Sequence, residues 1–254
     1  MNTIEITSTQ NDLVKYAVKL QDSKFRKSEK LILLDGAKTI QGIIDTGACF
    51  EYLFIKKDNE LSKKAKVNKL VFVNDEILKK ISTTKSPTDA IGIIREPKIK
   101  QEDFFSLNKV ALIDGIKDAG NLGTIIRSAV AFSIDGIVLY GDCVDLYNTK
   151  TIRATAQNMF KIPIIAIKDI SFIKELKKDK KLISTVVNSN NDILNYNFDE
   201  KFIIAFGSEA TGVSDEILNL SDEKLTFKMD NEVESINLGV CASVTFALMK
   251  KQKI

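Results

Sequence analysis

The sequence predicts an α/β protein with a small N-terminal α/β domain and a larger C-terminal domain built on a mostly parallel sheet. Short apolar runs alternate with segments whose apolar residues recur every three or four positions, which are the patterns of strands and helices. In the C-terminal half these runs are continuous, as expected for parallel strands that are covered on both faces. With 254 residues, 44% of them hydrophobic, the chain can bury a sizeable core.

The smaller domain is predicted over residues 1–97. Asp12–Leu20 carries apolar residues at helical spacing, and Leu31–Leu34 has the pattern of a buried strand. The other elements predicted here are a helix at 37–44, strands at 52–55 and 70–73, a helix at 76–81 and a strand at 90–94. Pro97 closes this domain, and residues 98–107 are polar enough to form a linker.

The larger domain is predicted over residues 108–254. Its strands are expected at 109–113, 136–140, 162–167, 182–187, 202–206 and 224–227. Its helices are expected at 122–132, 149–158, 170–179, 214–219 and 237–251. Ligands of open α/β sheets bind just beyond the carboxyl ends of the strands, so polar clusters that follow these strands are candidate sites.

The composition excludes several classes of site. The chain contains no histidine, which rules out a histidine general base and a histidine zinc site. Its three cysteines lie far apart, so neither a disulfide framework nor a metal cluster is expected, and a reducing cytoplasm is the predicted location. No apolar run is long enough to span a bilayer, and the N-terminus has no apolar segment typical of a secretory signal.

Basic residues cluster near the N-terminus. Six of them lie close together with only Asp22 and Glu29 among them, namely Lys15, Lys19, Lys24, Arg26, Lys27 and Lys30. One interpretation is a solvated helix face, and the other is an edge that contacts the phosphates of a nucleic acid.

The first polar cluster of the C-terminal domain is Asp118–Arg127, which follows the strand predicted at 109–113. Asn121 is expected to cap the next helix, and a glycine at 123 permits close approach of a ligand. Helical side chains lean toward the N-terminus, so the guanidinium of Arg127 can return to the strand end and bind a phosphate through two hydrogen bonds. Taken alone, the same residues fit an ordinary cap and an ordinary ion pair.

The second and third clusters are Gly207–Gly212 and Ser235–Gly239. The second places Glu209 at the tip of a turn after a strand, and the third places Asn237 where it can cap the last helix. Each cluster alone fits a plain turn or cap, whereas the ordered trio favours one shared site. Neither a G-x-G-x-x-G fingerprint nor a phosphate-binding G-x-x-x-x-G-K-[ST] loop is present, which disfavours a nicotinamide-dependent oxidoreductase.

Together the clusters resemble the SpoU (TrmH-type) family of RNA ribose 2′-O-methyltransferases, in the SPOUT superfamily. Asn121–Arg127 matches the first family motif, N-x-G-x-x-x-R, and Gly207–Gly212 matches the second, G-x-E-x-x-G. Phe227–Met229 and Ser235–Asn237 match the third, and Tyr147–Ala154 also fits. The resemblance spans about 109–250.

The N-terminal part is similar to the substrate-binding domain of the same family. Lys24–Lys27 and Leu34–Gly36 carry that similarity. The chain departs from the family pattern where proline, glycine or leucine is usual, at Ala119, Ser133, Gln157, Lys228 and Ile236. None of these departures removes a polar residue on which the family's chemistry depends.

The resemblance implies a fold, a cofactor and a set of site residues. The fold is an α/β-knot, with a deep trefoil knot from about residue 185 onward, one of the rare exceptions to unthreaded topology. The cofactor is S-adenosyl-L-methionine, with no metal. By correspondence the cofactor would contact Gly207, Phe227, Met229, Ile236 and Leu238, and the catalytic residues would be Asn121, Arg127, Glu209, Ser235 and Asn237.

The implied reaction is attack of a ribose 2′-hydroxyl on the sulfonium methyl group. The family assigns proton removal to the arginine of the first motif, here Arg127. A free guanidinium is a poor base because its pKa lies above about 12. Either the site deprotonates Arg127, or Arg127 orients an RNA phosphate that takes the proton, and the second route costs less free energy.

The implied partners are RNA and a second copy of the chain. RNA contacts are expected at Lys24, Arg26, Lys27 and Arg153. The last helix is expected in a homodimer interface, with an intrachain core helix as the alternative; its apolar residues include Val240, Val244, Phe246 and Leu248. Large-subunit ribosomal RNA is the expected substrate, and transfer RNA or a catalytically silent RNA-binding protein are the alternatives.

Overall fold

The computed structural model describes residues 2–84, 88–155, 157–230 and 235–251. The chain divides into two units. The N-terminal unit comprises Met1–Lys98 together with Tyr147–Phe160, and the C-terminal unit comprises Ile99–Leu146 together with Lys161–Ile254.

This division corrects the predicted domains in two respects. The segment Tyr147–Phe160 lies in the N-terminal unit, although it comes from the middle of the predicted C-terminal domain. The linker predicted at 98–107 is wrong, because Gln101–Ser106 forms a 3-10 helix whose Phe104 is fully buried in the core of the C-terminal unit. The polar composition of residues 98–107 led to the linker prediction, although the aromatic side chain of Phe104 is buried.

The N-terminal unit is a mixed sheet with helices. Its elements are β1 (Asn2–Glu5), α1 (Asp12–Lys19), α2 (Ser23–Glu29), β2 (Leu31–Asp35), α3 (Ala37–Asp45), β3 (Cys49–Ile55), α4 (Leu61–Lys64), β4 (Lys66–Phe72), α5 (Asp75–Ile81) and β5 (Ala90–Arg95). The strand order is β1-β4-β3-β5-β2, with β5 antiparallel to β2 and β3 and the other pairs parallel. The sequence analysis missed β1, α2 and α4, all of which are short.

The remaining elements in chain order are β6 (Lys109–Asp114), α6 (Ala119–Ala131), β7 (Gly136–Tyr140), α7 (Thr149–Ala154), β8 (Ile164–Ile167), α8 (Ile170–Leu176), β9 (Lys181–Thr185), β10 (Phe202–Phe206), α9 (Asp215–Leu220), β11 (Glu223–Leu225) and α10 (Leu238–Lys251). All of them except α7 belong to the C-terminal unit. Strands β7 and β10 begin and end at the predicted residues, whereas the helix predicted at 149–158 ends at Ala154.

The sheet of the C-terminal unit is parallel throughout, in the order β11-β9-β10-β6-β7-β8. Every residue of β7 and β10 is buried, which explains why these strands appear in the sequence as unbroken apolar runs. The predicted fold class is confirmed in this respect. Because all strands point the same way, the loops that follow them gather at one edge of the sheet.

The chain that leaves β11 is held by the loop that follows β9. Thr226 donates its N–H to the carbonyl of Asn191 at 2.9 Å and accepts the N–H of Ile193 at 2.8 Å. Its hydroxyl donates to the carbonyl of Val187 at 2.6 Å. Both backbone polar groups of Thr226 are therefore satisfied by one loop.

Helix α10 packs along α6 through small residues. A Cβ atom added to Gly239 would lie 3.1 Å from the side chain of Thr124, and the hydroxyls of Ser128 and Ser243 are 2.6 Å apart. Phe246 on the same helix is fully buried against Phe206 of β10. Within the described ranges, no helix is both long and apolar enough to cross a membrane.

Candidate active site

Three polar side chains from distant segments form a hydrogen-bonded chain in the C-terminal unit. Asn237 Nδ2 donates to Asn121 Oδ1 at 3.0 Å, and Asn121 Nδ2 donates to Glu209 Oε1 at 2.5 Å. The residues joined are 116 and 88 positions apart in the sequence. The structure thus brings one polar residue of each sequence cluster into direct contact.

The start of α6 explains why Asn121 is available for this role. Asp118 is the N-cap residue, and its Oδ1 accepts the N–H of Asn121 at 2.8 Å. The prediction that Asn121 caps the helix is therefore wrong, since the helix begins at Ala119. Because Asp118 satisfies the first turn, the amide of Asn121 points to Glu209 and Asn237 instead.

The loop that carries Glu209 is a tight turn. Ser208 and Gly212 exchange two backbone hydrogen bonds of 3.1 and 3.0 Å across it. A Cβ atom on Gly207 would lie 1.9 Å from the backbone of Gly212 and Val213, a distance that no side chain tolerates. Gly207 is thus required by the closure of its own loop, which leaves Glu209 exposed at the tip.

The far end of this loop is anchored to the sheet. The N–H of Ser214 donates to Oδ2 of Asp114, a buried residue at the end of β6, at 2.8 Å. The hydroxyl of Tyr140 in β7 donates to the carboxylate of Glu216 in α9. Burial and this hydrogen bond raise the pKa of Tyr140 to about 12, so the phenol keeps its proton at neutral pH.

A cavity of about 780 Å³ opens beside these residues. It lies at the ends of β9, β10 and β11, and its volume is typical of small-molecule sites. The residues predicted to bind the cofactor all line it, namely Gly207, Phe227, Met229, Ile236 and Leu238. Three residues predicted to be catalytic line it as well, namely Glu209, Ser235 and Asn237.

The charge of this cavity is distinctive. Among its described lining residues, Glu209 is the one with a formal charge, and no lysine or arginine lines it. Cys241 also lines the wall, and burial raises the pKa of its thiol to about 11, which keeps it neutral. A cavity of this kind favours a cationic or neutral ligand over one that carries phosphates.

Arg127 lies on α6 with an exposed side chain. No hydrogen bond or ion pair holds its guanidinium among the residues that the structure describes. The structure therefore shows no hydrogen bond or ion pair that joins Arg127 to Asn121, Glu209 or Asn237. No group of three or more acidic, histidine or cysteine side chains in the described ranges is arranged to hold a metal ion.

The basic run near the N-terminus falls on α2 and its neighbours. Lys24 and Lys27 are exposed on this helix. Arg26 is only 4% exposed, and its Nη1 donates to the carbonyls of Leu20 at 2.9 Å and Gln21 at 2.7 Å. The prediction that Arg26 contacts RNA is wrong, because successive helical residues point about 100° apart and this one faces inward.

Arg153 has an exposed side chain on α7. Its Nη1 donates to the hydroxyl of Thr83 at 3.1 Å. The sequence analysis assigned no supporting role to Asp35 and Asp118, although both lie in segments that it named, and it did not single out Thr83 or Asp114. The one available signal was for Asp118, since an aspartate just before a helix is a common cap.

Comparison with known proteins places the chain in a family. Residues 108–247 match the model of the SpoU rRNA Methylase family, and residues 11–92 match that of the MRM3-like substrate binding domain. The chain belongs to the SpoU rRNA methylase family. The fold class predicted from the resemblance, an α/β-knot domain with a smaller N-terminal α/β domain, is thereby confirmed. Residues 231–234 and 252–254 of the predicted knot lie outside the described residues.

Individual SpoU proteins resemble the whole chain. The 23S rRNA (guanosine(2553)-2′-O)-methyltransferase RlmP of Bacillus subtilis is 26% identical over 242 residues, which cover 94% of this chain and 96% of that protein. The AdoMet-bound rRNA methyltransferase of Sinorhizobium meliloti superposes with a TM-score of 0.89 at 22% identity, over 99% of both chains. The SpoU methyltransferase AviRb of Streptomyces viridochromogenes, solved with AdoMet, superposes with a TM-score of 0.87 at 18% identity, over 96% of this chain and 98% of that one.

The cavity of this SpoU protein fits S-adenosylmethionine. Adenine needs an apolar environment, and Phe227, Met229 and Leu238 are among the apolar residues that line the cavity. The sulfonium is a cation, and the described lining offers a carboxylate and no opposing positive charge. The lining residues of the cavity thus suit this cofactor better than a dinucleotide.

Proposed function

We propose that this protein transfers the methyl group of S-adenosylmethionine to a ribose 2′-hydroxyl of RNA, and that its substrate is large-subunit ribosomal RNA. One observation carries the proposal, namely the hydrogen-bonded chain of Asn237, Asn121 and Glu209 beside a cavity that suits a sulfonium cofactor. Membership of the SpoU rRNA methylase family supports the reaction type.

Ribosomal RNA is favoured over transfer RNA by the N-terminal unit. Residues 11–92 match a substrate-binding domain, and the similarity to the Bacillus 23S ribosomal RNA enzyme runs through both units. The presence of the catalytic polar residues disfavours a silent RNA-binding relative, since such a protein has no need for Glu209 and Asn237 beside an apolar cavity.

The chain of hydrogen bonds fixes the geometry of three loops. Both polar ends of the Asn121 amide are engaged, so Asn121 acts as a positioning residue that holds Glu209 and Asn237. Its bond to Glu209 Oε1 leaves the other carboxylate oxygen to accept a hydrogen bond from the ribose. Ser235, which lines the cavity, would orient the same substrate.

The cofactor would lie against Gly207, Phe227, Met229, Ile236 and Leu238. When bound, S-adenosylmethionine supplies an electrophilic methyl group on a sulfonium. The residues of the chain align the ribose oxygen with that methyl group, and such alignment supplies about 7–11 kcal/mol in favourable cases.

Arg127 would bind an RNA phosphate that accepts the proton. Its guanidinium is exposed and has no partner among the described residues, so it is available to RNA, and arginine in proteins stays protonated. The 2′-hydroxyl would lose its proton to this phosphate as its oxygen bonds to the methyl carbon, while the bond from that carbon to sulfur breaks and the neutral thioether S-adenosylhomocysteine leaves. The exposed position favours this route over direct deprotonation by Arg127.

RNA would also contact the exposed lysines of α2, Lys24 and Lys27, and Arg153 on α7. A homodimer would form through α10. Phe246 of this helix is buried within the chain, whereas Val240 and Val244 are 50% and 39% exposed and face away from it. A reaction without a metal ion and a cytoplasmic location remain predictions from the sequence.

The test is the variant Arg127→Ala, with Arg127→Lys as its matched control. We expect Arg127→Ala to bind S-adenosylmethionine normally by calorimetry, while methylation of unmodified Bacillus subtilis 23S ribosomal RNA transcribed in vitro falls by about 10²-fold or more. Arg127→Lys keeps the charge and should recover part of the rate. Normal turnover by Arg127→Ala refutes its role, and failure of the wild-type protein to bind the cofactor refutes the function.

A further inference from the structure

The arginines of this chain are few and have distinct surroundings. Only four of its 37 basic residues are arginine. A chain that otherwise uses lysine is expected to keep arginine where the planar, forked donor matters. In the N-terminal unit, Arg26 is buried and donates hydrogen bonds to backbone carbonyls. Arg95 Nε donates to Glu51 at 2.5 Å. Arg153 is the exposed arginine there whose described partner is a neutral hydroxyl.

That hydroxyl belongs to a partly buried network at the end of β2, centred on Asp35. Asp35 is 7% exposed, and its Oδ2 accepts three hydrogen bonds. Ser82 Oγ donates at 2.8 Å, Thr83 N at 2.7 Å and Thr83 Oγ1 at 3.1 Å. Asp35 Oδ1 is buried and accepts no hydrogen bond among the described residues, which costs free energy and marks a position not optimised for stability alone.

The direction of the hydrogen bonds is fixed by chemistry. A threonine hydroxyl has one proton, and Thr83 gives it to the carboxylate of Asp35. The oxygen of Thr83 must then use a lone pair toward Arg153, whose Nη1 lies 3.1 Å away. The buried charge of Asp35 thus holds an exposed guanidinium through one intervening hydroxyl, and within the described ranges no other hydrogen bond or ion pair engages Arg153.

We propose that Thr83 and Asp35 are positioning residues that orient Arg153 for contact with an RNA phosphate. The proposal depends on the proposed function, since it takes RNA as the ligand. A held guanidinium loses less side-chain entropy on binding than a free one, and it presents its fork at a defined angle. The lysines of α2 would attract the RNA through their charge, and Arg153 would bind one phosphate in a defined orientation.

The test is a double-mutant cycle on RNA affinity. Thr83→Val removes the hydroxyl at nearly constant shape, and Thr83→Ser keeps it. We expect Thr83→Val to weaken binding of the Bacillus subtilis 23S transcript about three- to tenfold, the net worth of one hydrogen bond. Arg153→Ala should weaken binding and reduce the slope of log affinity against log salt by about 0.7–0.9, one phosphate contact. Thr83→Ser should bind as the wild type does.

The decisive readout is non-additivity. In the Arg153→Ala background, Thr83→Val should have no further effect on RNA affinity, because the residue it positions is gone. An equal loss in both backgrounds, or no loss in either, overturns the proposal and assigns the network to loop structure alone. S-adenosylmethionine affinity, measured for every variant, separates the two questions. If the wild-type protein binds the cofactor and methylates RNA but the cycle is additive, only the positioning proposal fails. If the wild-type protein neither binds nor methylates RNA, both the positioning proposal and the proposed function fail.

Discussion

The two units assemble their polar groups in different ways. In the C-terminal unit the site joins side chains 88 and 116 residues apart, and a parallel sheet brings them together. In the N-terminal unit the polar network sits at the end of one strand of a mixed sheet and reaches one inserted segment, Tyr147–Phe160. A parallel sheet makes convergence of its loops predictable, whereas a mixed sheet with short helices does not.

The loops of the two units also differ in how tightly their glycines are constrained. Both Gly207 and Gly36 follow a buried strand. A Cβ atom on Gly207 would collide with backbone at 1.9 Å, whereas one on Gly36 would meet nothing within 4 Å, although its φ of 98° is unfavourable for a side chain. Gly207 is therefore required because backbone atoms lie where a side chain would be, whereas Gly36 is required only because of its φ angle.

The largest expected effect comes from Gly207→Ala. Backbone cannot move aside as a side chain can, so we expect a loss of about 3 kcal/mol or more in the free energy of unfolding, together with loss of S-adenosylmethionine binding. Gly36→Ala is the matched control: its φ of 98° and ψ of 142° lie in a region that essentially only glycine adopts, which should cost about 1–3 kcal/mol without affecting cofactor binding. Urea denaturation and calorimetry measure both effects. Equal losses in the two variants would remove the contrast between the loops.

A second difference lies within α10, between its buried and exposed faces. The double variant Val240→Asp with Val244→Asp should raise the dimer dissociation constant about 100-fold or more, because two unpaired charges would be desolvated in the interface. Sedimentation equilibrium measures this. The control is Leu194→Asp, an apolar residue that is 52% exposed in a short 3-10 helix, Ile193–Asn195, and should leave the dimer intact.

Either of two results contradicts the proposed interface. The wild-type protein could sediment as a monomer at micromolar concentration, or Leu194→Asp could dissociate the dimer as strongly as the α10 variant does. Cofactor binding by each variant checks that the unit is still folded, since α10 also contributes Leu238 and Cys241 to the cavity wall.

The sequence predicted most of the C-terminal unit for identifiable reasons. Fully buried strands such as β7 and β10 are unmistakable apolar runs, and their common direction fixes where the loops meet. Arg26 could not be predicted in the same way, because the rotation of a seven-residue helix decides whether a basic side chain faces solvent or a carbonyl. Neither could the network of Asp35 and Thr83, since its members are 48 residues apart and no periodic pattern links them.

The smallest expected effect concerns cysteine reactivity, which also differs between the units. Cys49 is exposed in β3, whereas Cys241 lines the cavity, where burial raises its pKa to about 11. Only the thiolate reacts with iodoacetamide, so at pH 8 labelling followed by mass spectrometry should modify Cys49 and leave Cys241 almost untouched. Because pH 10 is still below a pKa of about 11, the thiolate fraction of Cys241 and its labelling rate should rise almost a hundredfold between pH 8 and pH 10. Rapid modification of Cys241 at pH 8, absent in Cys241→Ser, would mean that the cavity wall is open to solvent and that the apolar environment inferred for adenine is not formed.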